Sequence, residues 1–198
     1  MHYISESINL PVSEATAFKV LSDLNVTLKL SPYWSLKELK STSGIPIKEG
    51  SRYEATIEYY AKEITETHGL EVVEYLQDKK IFFKVENGAL KEINFIIEKN
   101  NTGIQLTHQF LIDSIEDETV LKGTKNELFY WLRSIGEYLK LAEGKTLRQR
   151  FLKWLMDRVW LRLTLSERKI AIIITKISIL ELVLLLVLII IWNLFALK

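Results

Sequence analysis

The sequence has no cysteine, and only three histidines and three prolines among its 198 residues. Without thiols, disulfide frameworks, thiolate zinc sites and cysteine nucleophiles are excluded together. His2, His68 and His108 fall in no metal-ligand spacing such as HxxxH or HExxH, so no metal is expected. A GxSxG elbow, a P-loop and a dinucleotide fingerprint are all missing, and Gly44 and Gly50 suit turns rather than phosphates. No cofactor is expected. The opening MHYISESINL lacks a basic n-region and an apolar h-region, so it does not read as a signal peptide.

What the chain does have is one long apolar run. Ile177 to Leu197 would measure about 32 Å as a helix, against a hydrocarbon core about 30 Å thick. Every residue from Leu182 to Trp192 is apolar, with no polar stripe of the kind a core helix shows. A single membrane span near the C-terminus is expected, with a helix buried in an oligomer as the alternative. Lys176 can snorkel to the headgroups. Glu181, one turn deeper, is either an end residue tolerated near the interface or a self-association contact with a second span.

The net charge of +1 hides an asymmetry. Through Gly144 there are 16 basic and 22 acidic residues; from Lys145 onward there are 10 basic and 3 acidic. An acidic body argues against nucleic acid as a partner, because phosphate binding needs a basic footprint on the domain itself. The basic excess lies just before the span, in Arg148, Arg150, Lys153, Arg158, Arg162, Arg168 and Lys169. Such belts sit on the cytoplasmic side and meet anionic headgroups. The localisation expected is therefore a C-terminally anchored, single-pass membrane protein whose N-terminal domain faces the cytoplasm.

Along the body, Tyr3–Leu10 alternates as a strand does, with Ile4, Ile8 and Leu10 on one face. Pro11 closes it, Ser13 is placed to N-cap a short helix carrying Ala17, Phe18, Leu21 and Leu24, and a second short helix covers Val26–Leu30 before Ser31-Pro32. A strand near Leu36–Ser41 precedes a turn over Ser43–Ser51. Strands are then predicted at Arg52–Ala61, Thr67–Leu76, Lys80–Glu86, Leu90–Glu98 and Gly103–Asp113, with Gln77-Asp78, Asn87-Gly88 and Asn100–Gly103 as hairpin turns.

After the acidic turn Glu116–Glu118, Thr124 and Glu127 have capping-box spacing, which predicts a helix start there. Leu128, Trp131, Leu132, Ile135, Leu139 and Ala142 make one apolar stripe, with Gly136 on the same side allowing close backbone approach. The helix ends or bends at Gly144. Beyond it, Leu147, Phe151, Leu155, Val159 and Leu163 recur every four residues. Trp154 and Trp160 join them, and the basic belt flanks this stripe. That is an amphipathic cationic helix suited to a membrane surface, or else to packing on the body. Leu165–Lys169 would then turn the chain toward the membrane.

The order of strand, two short helices, six strands and a long helix resembles the START-like or helix-grip superfamily, also called SRPBCC. Within it, the likeness is to the polyketide cyclase/dehydrase and lipid-transport group. It is carried by Ile8-Asn9-Leu10-Pro11-Val12-Ser13-Glu14-Ala15-Thr16-Ala17-Phe18, Leu21-Ser22-Asp23, Pro32-Tyr33-Trp34 and Gly50-Ser51-Arg52-Tyr53. The resemblance implies an α+β fold: a curved, seven-stranded antiparallel sheet gripping a long helix, with a cavity for an apolar ligand between them. The domains expected are a ligand-binding body over 1–143, a basic juxtamembrane helix over 144–169 and an anchor over 170–198.

One strand face then supplies the candidate ligand contacts. These are Tyr53, Ile57, Tyr59, His68, Val72, Phe83, Phe95, His108 and Phe110, closed over by Trp131 and Ile135; the alternative for each is plain core. His108, beside Glu74 or Tyr59, is the one candidate catalytic group, against a hydrogen-bonded core histidine. The function expected is binding, and transfer, of a lipid or other hydrophobic small molecule taken from the membrane. Two rivals are a cyclase- or hydrolase-type enzyme on a similar substrate and a membrane-bound interaction module with a filled core.

Overall fold

The computed structural model describes residues 1–42, 47–60, 64–113 and 118–196. Parts of the Ser43–Ser51 turn, the end of the Arg52–Ala61 strand and most of the acidic turn before the long helix lie outside them. Seven strands form one antiparallel sheet: β1 (His2–Leu10), β2 (Trp34–Ser41), β3 (Arg52–Tyr59), β4 (Ile64–Leu76), β5 (Lys80–Glu86), β6 (Leu90–Asn100) and β7 (Gly103–Ile112). Their spatial order is β1-β7-β6-β5-β4-β3-β2. Register shifts at Leu36/Glu38, Val72/Glu74 and Leu90/Glu92 interrupt the ladder. Such irregularities bend strands and increase their twist, which curls a sheet around whatever it covers.

Between β1 and β2 sit α1 (Glu14–Leu21) and α2 (Leu24–Lys29). Ser13 caps α1, its hydroxyl accepting from the Thr16 amide at 3.3 Å. Asp23 caps α2 by accepting from the Val26 amide at 3.1 Å, so α2 begins two residues before the sequence expectation. The long helix α3 (Glu118–Glu143) also starts earlier than Thr124. The Thr124 hydroxyl donates to the Val120 carbonyl four residues back, an interior helix bond rather than an N-cap.

Period-2 burial puts Ile4, Leu10, Ile57, Leu70, Val72, Phe83, Phe95 and Leu106 on the face that meets the α3 stripe. Gly136 brings α3 down onto β1: a Cβ there would lie 2.6 Å from Ile8 Cδ1 and 3.2 Å from Leu10 Cδ2. This is the close approach its position in the stripe suggested.

The helix α4 (Leu147–Arg158) follows, opened by a capping box of Thr146 and Gln149. It ends at Arg158, short of Leu163, and gives way to a 3-10 turn over Trp160–Arg162. Tyr138 of α3 ties it down, donating to Asp157 Oδ1 at 2.7 Å, while the Lys153 ammonium sits 4.6 Å from the Tyr138 ring.

The described chain divides into two compact units, Met1–Leu161 and Arg162–Lys198. The second is a single helix, α5 (Leu165–Ala196), whose first turn is closed by a box of Thr164 and Glu167. Leu165–Lys169 is therefore helical from the start rather than a turn. Among the described residues α5 is the one helix long and apolar enough to cross a membrane, and none of its apolar window is buried.

Candidate ligand cavity

The C-terminal half of α3 packs on the sheet, but its N-terminal half does not close down on β3 and β4. A cavity of about 230 Å³ lies there, between Val120, Thr124, Glu127 and Trp131 on α3 and the buried face of the sheet. Its wall is mostly apolar: Leu28, Trp34, Ile57, Leu70, Val85, Leu90, Ile93, Phe110 and Ile112.

Trp131 forms the floor. Its indole N–H donates to the Thr27 carbonyl at 2.9 Å, which fixes the ring and links α3 to α2. Trp34 meets it edge-on, with centroids 4.9 Å apart, and donates its own indole N–H to the Leu28 carbonyl at 3.2 Å.

The polar end is built by strand alternation. Along β4 the inward residues run Glu66, His68, Leu70, Val72, from a carboxylate at the rim to plain core. His68 Nδ1 lies 2.6 Å from the Asn87 carbonyl, which can only accept, so Nδ1 carries the proton. Nε2 lies 3.1 Å from the Tyr59 hydroxyl and 3.4 Å from Glu66 Oε2. Burial raises the Tyr59 hydroxyl to a pKa of about 12, with Glu66 and Glu127 adding to the effect. The turn holding His68 is the expected Asn-Gly hairpin. Asn87 and Gly88 both have positive φ, and a Cβ on Gly88 would stand 3.3 Å from the imidazole Cε1.

Of the residues expected on the wall, Ile57, Tyr59, His68, Phe110 and Trp131 surround the cavity. Tyr53, Val72, Phe83, Phe95, His108 and Ile135 share the same buried side but belong to the packed core. His108 is 0 % exposed and lies behind Trp131, stacked on Phe95 at 4.2 Å and edge-on to Trp131 at 4.7 Å. Neither of its ring nitrogens has a hydrogen-bond partner among the described residues, and burial holds its pKa well below the ordinary imidazole value. It pairs with neither Glu74, which binds Lys80, nor Tyr59, which binds His68. The rest of the wall was missed in the sequence, Glu66, Leu70, Trp34, Val85, Ile93 and Glu127 among it. Parity with His68 selects Glu66 and Leu70, whereas nothing in the pattern marks Trp34.

A second feature is the outer face of α4. Leu147, Phe151 and Trp154 are 85 %, 60 % and 54 % exposed, and the Phe151 and Trp154 rings stack on each other. Arg148, Arg150 and Arg158 are exposed on the same helix, Lys153 is bound to Asp157, Trp160 is half-buried and Arg162 is exposed. Arg168 and Lys169 belong to the first turns of α5. Among the described residues no group of acidic and histidine side chains is placed to hold a metal ion.

No known family model matches the sequence, and neither does any curated protein. Solved structures do match the fold. A Nitrosomonas europaea protein aligns with 70 % of this chain and 93 % of its own at 10 % identity and a TM-score of 0.56. The Aha1 dimer from Colwellia psychrerythraea aligns over 73 % of this chain and 100 % of its own at 13 % identity, TM-score 0.53. The structure of Ara h 8.0201 aligns over 70 % of this chain and 97 % of its own at 19 % identity, TM-score 0.53. At these identities the likeness is one of fold: the body has the curled antiparallel sheet and long helix of the helix-grip proteins.

Proposed function

We propose that this helix-grip protein binds a hydrophobic small molecule between its sheet and α3, and that α5 holds it at the membrane from which the ligand is drawn. The observation that carries the reading is the cavity: apolar on most sides, with a few convergent polar groups at one end, the usual make-up of a small-molecule site. Its 230 Å³ falls just under the roughly 300–1,000 Å³ of drug-sized pockets. One short chain or one ring system fits that volume; a two-chain lipid does not.

The membrane part of the reading is supported by α5 and by the outer face of α4, where exposed Phe151 and Trp154 stand among arginines. Aromatic rings and guanidinium groups favour the headgroup region, and the basic excess supports a body on the cytoplasmic side. Tethering keeps the cavity at high effective concentration beside a ligand dissolved in the bilayer. Transfer then needs only exchange at the N-terminal end of α3.

A second reading is a cyclase- or hydrolase-type enzyme on the same ligand. It draws on Tyr59 and His68, whose hydrogen bond reaches the cavity wall, rather than on His108. It predicts turnover lost in Tyr59→Phe with binding retained. The test of the main reading is native mass spectrometry of the full chain released from micelles, with extraction of what co-purifies. A stoichiometric small apolar species supports it; a chain that is empty and takes up no hydrophobic probe contradicts it.

A further inference from the structure

Among the described residues, every side-chain donor on the cavity wall is already spent elsewhere. The two indole N–H groups donate outward, Trp34 to the Leu28 carbonyl and Trp131 to the Thr27 carbonyl. The Thr124 hydroxyl donates to the Val120 carbonyl within its own helix. His68 Nδ1–H donates to the Asn87 carbonyl, and with the ring neutral Nε2 is a lone pair that takes the Tyr59 proton. What these groups still offer the cavity is lone pairs on Tyr59 Oη and Thr124 Oγ1, beside the Glu66 carboxylate. No lysine or arginine stands among the described lining residues.

From this we infer that the cavity selects a ligand whose polar end donates hydrogen bonds and carries no negative charge, an alcohol or an amine on an apolar body. The inference rests on the cavity being a binding site. A carboxylate or phosphate head would meet acceptors and a like charge with no free side-chain donor among the described lining residues, so its own lone pairs would go unpaired. A hydroxyl or ammonium head meets ready acceptors whose positions are fixed by the bonds that consumed their protons.

The test is calorimetry of the full chain in phosphatidylcholine nanodiscs with hexan-1-ol, hexylamine and hexanoate, empty nanodiscs serving as the blank. It is run at about pH 8. The expected result is binding of the alcohol and the amine with hexanoate weaker by about tenfold or more, the size of one hydrogen bond to a charged group. Glu66→Gln, at an exposed rim position, narrows the gap between hexylamine and hexanoate. Equal binding of the three, or hexanoate binding tightest, overturns the inference and leaves the cavity reading standing. Binding of none overturns the cavity reading and the inference with it.

Discussion

The rings of Phe95 and His108 stack with centroids 4.2 Å apart and planes 14° from parallel, the imidazole fully buried and lacking any hydrogen-bond partner among the described residues. A neutral imidazole in that place acts as a flat packing piece, and charging it there is costly because nothing nearby answers the charge. Its pKa is lowered in the folded state, so the unfolded chain binds the proton first. Stability is full above the unfolded value near 6.5 and falls as the pH drops below it, by up to about 1.4 kcal/mol per pH unit. His108→Leu removes this slope. Pulse proteolysis of the two chains at stepwise lower pH checks it, and parallel profiles would refute it.

Gly88 matters for a different reason, because it sets the polar end of the cavity. With φ at +123° and a Cβ position 3.3 Å from the His68 ring, Gly88→Ala is expected to cost about 1–3 kcal/mol and to turn the imidazole away from Asn87. Asn87→Gly keeps its positive φ without strain and should stay within about 0.5 kcal/mol of the parent. Nitrogen-15 shifts of the His68 ring report the change. An unaltered Nδ1–H tautomer signature in Gly88→Ala would show that the turn does not hold the ring.

Trp131 divides the hollow part of the interior from the filled part. Trp131→Phe removes the indole donor, leaves the Thr27 carbonyl without it and enlarges the space beside His108. The expected cost is about 1–3 kcal/mol. Longer alcohols should gain affinity relative to hexan-1-ol, because the floor has been lowered. If chain-length preference is unchanged, Trp131 is not the floor.

For the outer face of α4, Phe151→Ser and Trp154→Ser should leave stability within about 0.5 kcal/mol, since both side chains are largely exposed. Contact with lipid should change instead. Brominated acyl chains in phosphatidylglycerol-containing nanodiscs are expected to quench the wild-type chain more than Trp154→Phe. Equal quenching of the two places Trp154 away from the bilayer.

The sheet was legible because alternation is local. Ile4, Ile8 and Leu10, or the run from His68 to Val72, show their buried face without any knowledge of neighbours, and Asn87-Gly88 announces its hairpin. The start of α3 was not legible. A Thr-x-x-Glu pair has the same spacing inside a helix as at its end, and only the backbone of Thr124 decides which it is. The cavity was harder still. Whether His108 or His68 faces open space depends on how far α3 stands off the sheet, and that distance follows from Gly136 seating the other half of the helix on Ile8. His108 is the core histidine expected there, but without a hydrogen-bond partner among the described residues; the hydrogen-bonded ring is His68, at the cavity. Side-chain parity alone cannot separate two histidines on the same face of the same sheet.

The measurement that bears most directly on ligand binding is methyl-resolved NMR of the full chain in nanodiscs, titrated with hexan-1-ol. The account predicts saturable shifts at the cavity methyls of Ile57, Leu70, Val85 and Ile93, with the core methyls of Val72, Ile81 and Leu106 unmoved. Cavity methyls that stay still while only α4 or α5 responds would contradict it.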